Sequence, residues 1–480
     1  MYYENYYDMT VYEMLKKATD AFGEKSLFSY MKNEEIVNVS YEEFWRDVRK
    51  IAGRLQTLQL KGKYVVLEGK AEYEIVAALY AVICAGAVAA VLNLELPEEE
   101  VFDALERIQP AMIICSEDNF DIAEEYAEEH QIYSMTGSGN EHTESIRSWI
   151  EKEGILYQPE GEQKPEDPAL ILMTSGSTSK SKLVLLPHYT FLPTKEFCTE
   201  RNILVFPLYH VAGIMELTNS VLHGMTLCLS NMREGIRDLE WFCPTEIMAV
   251  PAFISLMVKR NRKNLLDLSS YQRITSGGAP QNLEVAEYLN SLGIFSSSAY
   301  GATETSGQVA YSALSSYRFG SVGKPGTWNQ VKISESGEIL VKGKTVMLEY
   351  LGNPQETKEA LKDGWYHTGD VGYMDEDGFL YITGRIKNVI ILSNGENVSP
   401  EAIEAQLYHC TDIEEVVIGS EGDAIIAWIY CGENLNEHLR KHVEAYIARY
   451  NRSVPSYRRI SKTVFQEQPF ARTSSGKIKR

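Results

Sequence analysis

The chain has 480 residues, 44% of them hydrophobic and 24% charged, with a net charge of −21. That length predicts about three domain-sized units with the composition of an ordinary globular protein. The acidic balance excludes a general nucleic-acid or anionic-membrane binder.

The opening residues lack a basic stretch followed by an apolar run, so no signal peptide is expected. Residues 41–60 place Phe44, Val48, Ile51, Ala52, Leu55 and Leu58 at helical spacing. A short strand, Tyr64 to Leu67, follows. Ile75 to Leu92 is uncharged and apolar, long enough to raise the question of a membrane span. Its alanines and Gly86 instead predict a buried helix ending near Ala85 and a buried strand from Ala87 to Leu92. A helix near Glu98–Ile108 and a strand from Ala111 to Cys115 come next. Helices alternating with buried strands imply an α/β fold with a mostly parallel sheet. Residues 136–168 are polar and read as a surface connection around one helical piece.

The seven cysteines (Cys84, Cys115, Cys198, Cys228, Cys243, Cys410 and Cys431) are never spaced as Cys-x-x-Cys. They are read as reduced thiols of a cytoplasmic protein, with no zinc site expected. His438 and His442 stand at helical spacing without further ligands nearby in sequence and are read as surface residues.

Two stretches carry chemistry. A strand, Ala169 to Met173, runs into Thr174-Ser175-Gly176-Ser177-Thr178-Ser179-Lys180-Ser181-Lys182, and a second strand, Leu183 to Leu186, leaves it. Such a loop suits either a polyphosphate cradle or a plain serine-rich hairpin, and composition does not choose. The second stretch, Trp365 to Pro400, holds a predicted hairpin with its turn at Asp375–Gly378. The hairpin places Asp370 and Arg385 at corresponding ends of a ribbon, able to take paired hydroxyls of a ligand from two sides.

These loops resemble motifs of the acyl-adenylate-forming enzymes: acyl-CoA synthetases, adenylation domains and luciferases. The resemblance also rests on Pro207-Leu208-Tyr209-His210-Val211-Ala212-Gly213, Ser276-Gly277-Gly278-Ala279-Pro280 and Tyr300-Gly301-Ala302-Thr303-Glu304. Tyr366 to Asp370, Gly384 to Lys387, Gly395 to Glu401 and Ser475 to Ile478 continue it in family order. It implies a large multi-subdomain α/β domain, residues 1–386, and a small mobile α+β lid, residues 387–480, hinged at Lys387. It implies ATP and Mg²⁺, a small carboxylic acid as substrate, and CoA or an acyl carrier protein as acceptor.

Residue by residue, the resemblance implies that Thr174, Ser175, Gly176, Ser177, Thr178 and Lys182 hold the β- and γ-phosphates. Tyr300 would stack on adenine, with Gly277, Gly278, Ala279 and Gly301 allowing close backbone approach. Thr303 would contact the α-phosphate and Glu304 would hold Mg²⁺. Asp370 and Arg385 would take the ribose. Lys477 would bridge the reacting oxygens, and Gly395 would line the thiol tunnel after rotation. His210 would flank the substrate carboxyl, or be a core histidine.

No Asp stands near Phe206–Gly213 to pair an α-ammonium, which disfavours amino acids. Val211, Ala212, Ser276 and Ala299 instead suggest an apolar pocket for an aryl or fatty acid. Ser179, Ser181 and Leu183 replace the family's usual Gly, Pro and Gly, and Ile391 stands where several relatives carry a lysine. The leading reading is an acid–thiol ligase. A luciferase-like oxygenase and a retired adenylate-binding module are the rivals.

Overall fold

The computed structural model describes residues 6, 8–138, 144–159, 161, 163–174, 181–192, 199–230, 235–279, 281–410, 412–432, 435–472 and 478. Two sheets dominate the larger part. One runs Glu349–Tyr350, Lys182–Pro187, Pro168–Thr174, Val88–Leu92, Tyr64–Glu68, Met112–Cys115, Tyr133–Thr136 in spatial order, and is parallel from Pro168–Thr174 onward. The other is nine-stranded and mostly parallel, and its far edge is the hairpin Ser26–Lys32 and Glu35–Ser40.

One hydrophobic core joins these sheets through the helices between them. Every residue of the helix Tyr73–Cys84 is buried. A helix enclosed on all sides has no polar face to display, which explains the membrane-like composition of that run. The strand Val88–Leu92 follows it, as the sequence predicts. Among the described residues no helix is long and apolar enough to cross a membrane.

The helix Tyr41–Thr57 buries Phe44, Val48, Ile51, Ala52 and Leu55, each worth about 1.5–3 kcal/mol for a large aliphatic or aromatic side chain. Its start is fixed by a capping box, with Ser40 and Glu43 each bonding the other's backbone N–H. Leu58, expected on the same buried stripe, is instead 41% exposed, because the helix has ended and Leu58 turns the chain outward. The helix Glu98–Ile108 and the strand Met112–Cys115 stand where the periodicity places them. Within 136–168 the helical piece is Ile146–Glu151.

Next to the strand Lys182–Pro187, buried His188 accepts a hydrogen bond at Nδ1 from the Val11 N–H, 3.2 Å away. Burial pushes its imidazole down to about 4, against a weaker upward pull from Asp167 and Glu13. The folded protein thus resists a proton that the unfolded chain takes up once the pH falls below the ordinary histidine value. Stability is full above that value and falls as the pH drops towards 4, by about 3 kcal/mol in total from this residue. Urea midpoints measured between pH 7 and pH 4 should fall less steeply in His188→Gln than in the parent protein.

A third, antiparallel sheet contains Asn329–Ile333, Glu338–Gly343, Leu361–Lys362, Trp365–Met374 and Leu380–Arg385. Trp365–Met374 and Leu380–Arg385 form the predicted hairpin, with Asp370 directly opposite Arg385. Gly378, at φ +83°, closes its turn. The C-terminal part has its own core, built from Leu392, Val398, Ile403, Leu407, Ile418 and their neighbours. It folds around the strands Glu415–Glu421, Ala424–Tyr430 and Ile460–Gln466 and the helices Pro400–Leu407 and Glu437–Ser453. It meets the rest through Lys259–Glu414, an ion pair of 2.8 Å, and through Ser399 Oγ donating to the Thr383 carbonyl at 2.5 Å. The described cysteines are all free thiols.

Candidate active site

The site lies where the loop after the strand Phe295–Tyr300 faces the ribbon of the third sheet. Tyr300 ends that strand, and its hydroxyl donates to Asp370 Oδ2 at 2.7 Å. Arg385 Nε donates to Asp370 Oδ1 at 2.5 Å. The two hairpin residues therefore hold one another, and the aromatic ring is tied to the same carboxylate. Burial, then the Asp370 charge, holds the Tyr300 phenol far above its ordinary range. Burial works against the Arg385 charge, but Asp370 outweighs it and raises that guanidinium further. Lys387, just past the ribbon, is lowered by burial first, then by Arg385 and Lys182. Arg385 and Lys387 thus repel one another beside Asp370, a repulsion that an anionic ligand would relieve.

Glu304 sits in the single 3-10 turn Thr303–Thr305, beside Thr303. Its Oε1 accepts from the Tyr350 hydroxyl at 2.8 Å. Tyr366 lies beside Tyr350 and feels the charges of Glu304 and Asp370. Burial and the Glu304 charge raise the Tyr350 phenol well above its ordinary value. Lys182 pairs with Glu356 at 2.8 Å and lies 4.5 Å over the Tyr350 ring. Glu304, Lys182, Tyr300, Asp370 and Arg385 thus converge through buried tyrosines. A half-buried carboxylate, already oriented by a phenol, fits a cation that takes one carboxylate and keeps its other sites for phosphate oxygens and water, as Mg²⁺ does.

The loop around Thr303 depends on two glycines. A Cβ at Gly301 would lie 2.2 Å from the Gly307 carbonyl carbon, a backbone clash that no rotamer relieves. Gly307, at φ +73°, sits against Met215 and Val211 of the helix Val211–His223. Gly301→Ala should cost about 2 kcal/mol or more of stability and displace Thr303 and Glu304. A lowered melting temperature together with lost activity would bear this out.

His210 is neither a core histidine nor simply a pocket wall. It caps the helix Val211–His223, with Nδ1 accepting the Ala212 N–H at 3.1 Å, and its ring stacks on Phe206 at 5.3 Å. With Nδ1 accepting, a neutral ring carries its proton on Nε2. Gly277 is buried, Gly278 has φ +79°, and Ala279 is exposed. Gly395 turns the hairpin of Ile390–Ile391 with Asn397–Val398 at φ +82°, with open space around it. Ile391 in that hairpin is 75% exposed. Ser175, Gly176, Ser177, Thr178, Pro280 and Lys477 lie outside the described residues, while Thr174 pairs with Lys182 across the base of the loop. Of the family departures, Leu183 is fully buried in its strand, and the Ser181 carbonyl accepts from Arg107 at 2.8 Å.

Sequence reasoning assigned no role to Tyr350, Tyr366 or Glu356. Tyr366 lies beside the Thr368–Asp370 island, yet its role depends on partners that only folding supplies.

Residues 15–351 match the AMP-binding enzyme family, and residues 387–480 match the AMP-binding enzyme C-terminal domain. The chain belongs to that family and is an AMP-forming acid–thiol ligase. It is 29% identical over 471 residues to a 2-succinylbenzoate–CoA ligase of Oceanobacillus iheyensis, covering 91% of this chain and 93% of that one. It is 30% identical over 368 residues to an indoleacetate–CoA ligase of Aromatoleum aromaticum, covering 70% of each. Among solved structures it superposes on an anthranilate CoA ligase bound to anthranoyl-AMP with a TM-score of 0.87, 17% identity, and coverage of 98% of this chain and 96% of that one.

Proposed function

We propose that the protein activates an aryl or other apolar carboxylic acid with MgATP, releases pyrophosphate, and passes the acyl group from acyl-AMP to the thiol of CoA. The observation that carries this reading is the convergence of Lys182, Glu304, Tyr300, Asp370 and Arg385. Two anions, a carboxylate and a triphosphate, must meet in line, and positioning plus charge stabilisation is most of what a protein contributes to such a transfer. Lys182 leaves Glu356 for phosphate oxygens, and Arg385 and Lys387 hold the anion's other side. Asp370 accepts from ribose hydroxyls as Tyr300 releases it. Nε2–H of His210 donates to the substrate carboxylate and orients it. Magnesium, held by Glu304, would supply charge neutralisation at the phosphates.

Val211 and Ala212 are buried and apolar beside His210. Ser276 is buried, and its hydroxyl has no hydrogen-bond partner among the described residues. An acid with a ring and one hydrogen-bonding substituent suits that combination. The hinge of the small domain falls at Lys387, with residues 1–386 and 387–480 as the two bodies, and the compartment is the cytoplasm.

The test is pyrophosphate release from MgATP with aryl, short, medium and long-chain acids, with and without CoA. Release that needs an acid and is accelerated by CoA supports the reading. Acid-dependent release that CoA leaves unchanged, but a phosphopantetheinylated carrier protein accelerates, would move the acceptor to that carrier. ATP binding without release for any acid would overturn it.

A further inference from the structure

In the C-terminal part, away from the adenylate site, three potential metal ligands from separate elements meet. Cys410 follows the helix Pro400–Leu407, Asp412 stands two residues on, and His442 lies on the helix Glu437–Ser453. One Cys410, one Asp412 and one His442 donor atom all lie within 4.8 Å of one another. His442 Nδ1 already shares a short hydrogen bond with Asp412 Oδ2. Cysteine spacing could not reveal this group, because His442 is 30 residues from Asp412 in sequence.

The Ile413 N–H donates to the Cys410 carbonyl at 3.0 Å, which holds Cys410 close to Asp412. Ligands on a tetrahedral zinc-type ion stand about 3.3–3.8 Å apart, given bond lengths of about 2.0–2.3 Å. To reach that spacing the hydrogen-bonded His442–Asp412 pair must open slightly, while no donor pair has to close by more than about 1.5 Å.

We propose that Cys410, Asp412 and His442 form a binding site for a zinc-class transition-metal dication. Sulfur and imidazole donors with a single carboxylate select Zn²⁺ or Co²⁺ over Mg²⁺ or Ca²⁺. Binding deprotonates the Cys410 thiol, releasing its proton to solvent, and replaces the His442–Asp412 hydrogen bond with two metal bonds, the proton of that hydrogen bond moving through solvent to His442 Nε2. Water completes the coordination.

The position gives the site a consequence. The Tyr408 carbonyl accepts from Asn282 at 3.4 Å, and Glu414 pairs with Lys259 at 2.8 Å. Cys410 and Asp412 lie between these two contacts with the large domain. A metal would tie that contact segment to the helix Glu437–Ser453. The inference does not depend on which acid the enzyme activates.

The experiment uses full-length, tag-free protein stripped with chelator and titrated with Co²⁺. A thiolate-to-cobalt charge-transfer band saturating at about one equivalent per chain is expected, and Zn²⁺ should displace it. Cys410→Ser should abolish the band, and His442→Gln should weaken Co²⁺ binding by more than about tenfold. His442 is 56% exposed, so that variant keeps the fold intact. Cys243→Ser and His438→Gln should leave both readouts unchanged. A parent protein with no such band, or a band of undiminished affinity in both Cys410→Ser and His442→Gln, would overturn the proposal.

Discussion

Lys477→Ala should lower acyl-adenylate formation by roughly 10²–10³-fold, the loss typical of one transition-state charge partner. It should largely spare thioester formation from a supplied acyl-adenylate. Carboxylate and α-phosphate oxygens repel as they approach, and a compact ammonium between them offsets that repulsion. The chain leading to Lys477 is fastened to the small domain. The Phe470 N–H donates to Glu415 at 2.7 Å, Arg472 pairs with the same carboxylate, and Arg472 bridges antiparallel to Ile478. Under the proposed rotation of that body about Lys387, Lys477 would leave the site with it, so only the first half-reaction would feel its loss. Pyrophosphate release and single-turnover thioester formation, measured separately, check this. A parallel fall in both half-reactions would rule out the two-pose scheme.

Much of this was legible in the chain. The helices Tyr41–Thr57 and Glu98–Ile108 follow from apolar spacing, and the Asp370–Arg385 register follows from a turn at Asp375–Gly378. Local pattern decides such features. It did not decide Leu58, where the helix stops just before the last apolar position. Nor could it find Tyr350, which reaches Glu304 across 46 residues, or the hydrogen bond that ties Tyr300 to Asp370 across 70. Aromatic residues in strands usually read as core, and only the meeting of phenols with carboxylates marks these as polar supports. The run from Ile75 resolves correctly into a buried helix and strand, yet it looks membrane-like for a related reason: burial between two sheets and burial in lipid select the same side chains.

Those supports lead to a second large effect. Glu304→Gln should lower adenylation by about 10²-fold at ordinary magnesium, because a neutral amide neither attracts the cation nor offsets its charge. Mn²⁺, which binds nitrogen and oxygen ligands more tightly than Mg²⁺ does, should restore part of the rate. Tyr350→Phe leaves the carboxylate in place but removes its 2.8 Å donor, so the change should be milder, near tenfold at most, about 1.5 kcal/mol. The pair separates positioning from charge. If Tyr350 acts by orienting Glu304, Tyr350→Phe should raise the Mg²⁺ concentration needed for half-maximal rate in the parent, but add little to Glu304→Gln. Full additivity would mean that Tyr350 serves the substrate or Lys182 directly, through the ring that Lys182 overlies at 4.5 Å, and Tyr350→Leu would then be far worse than Tyr350→Phe.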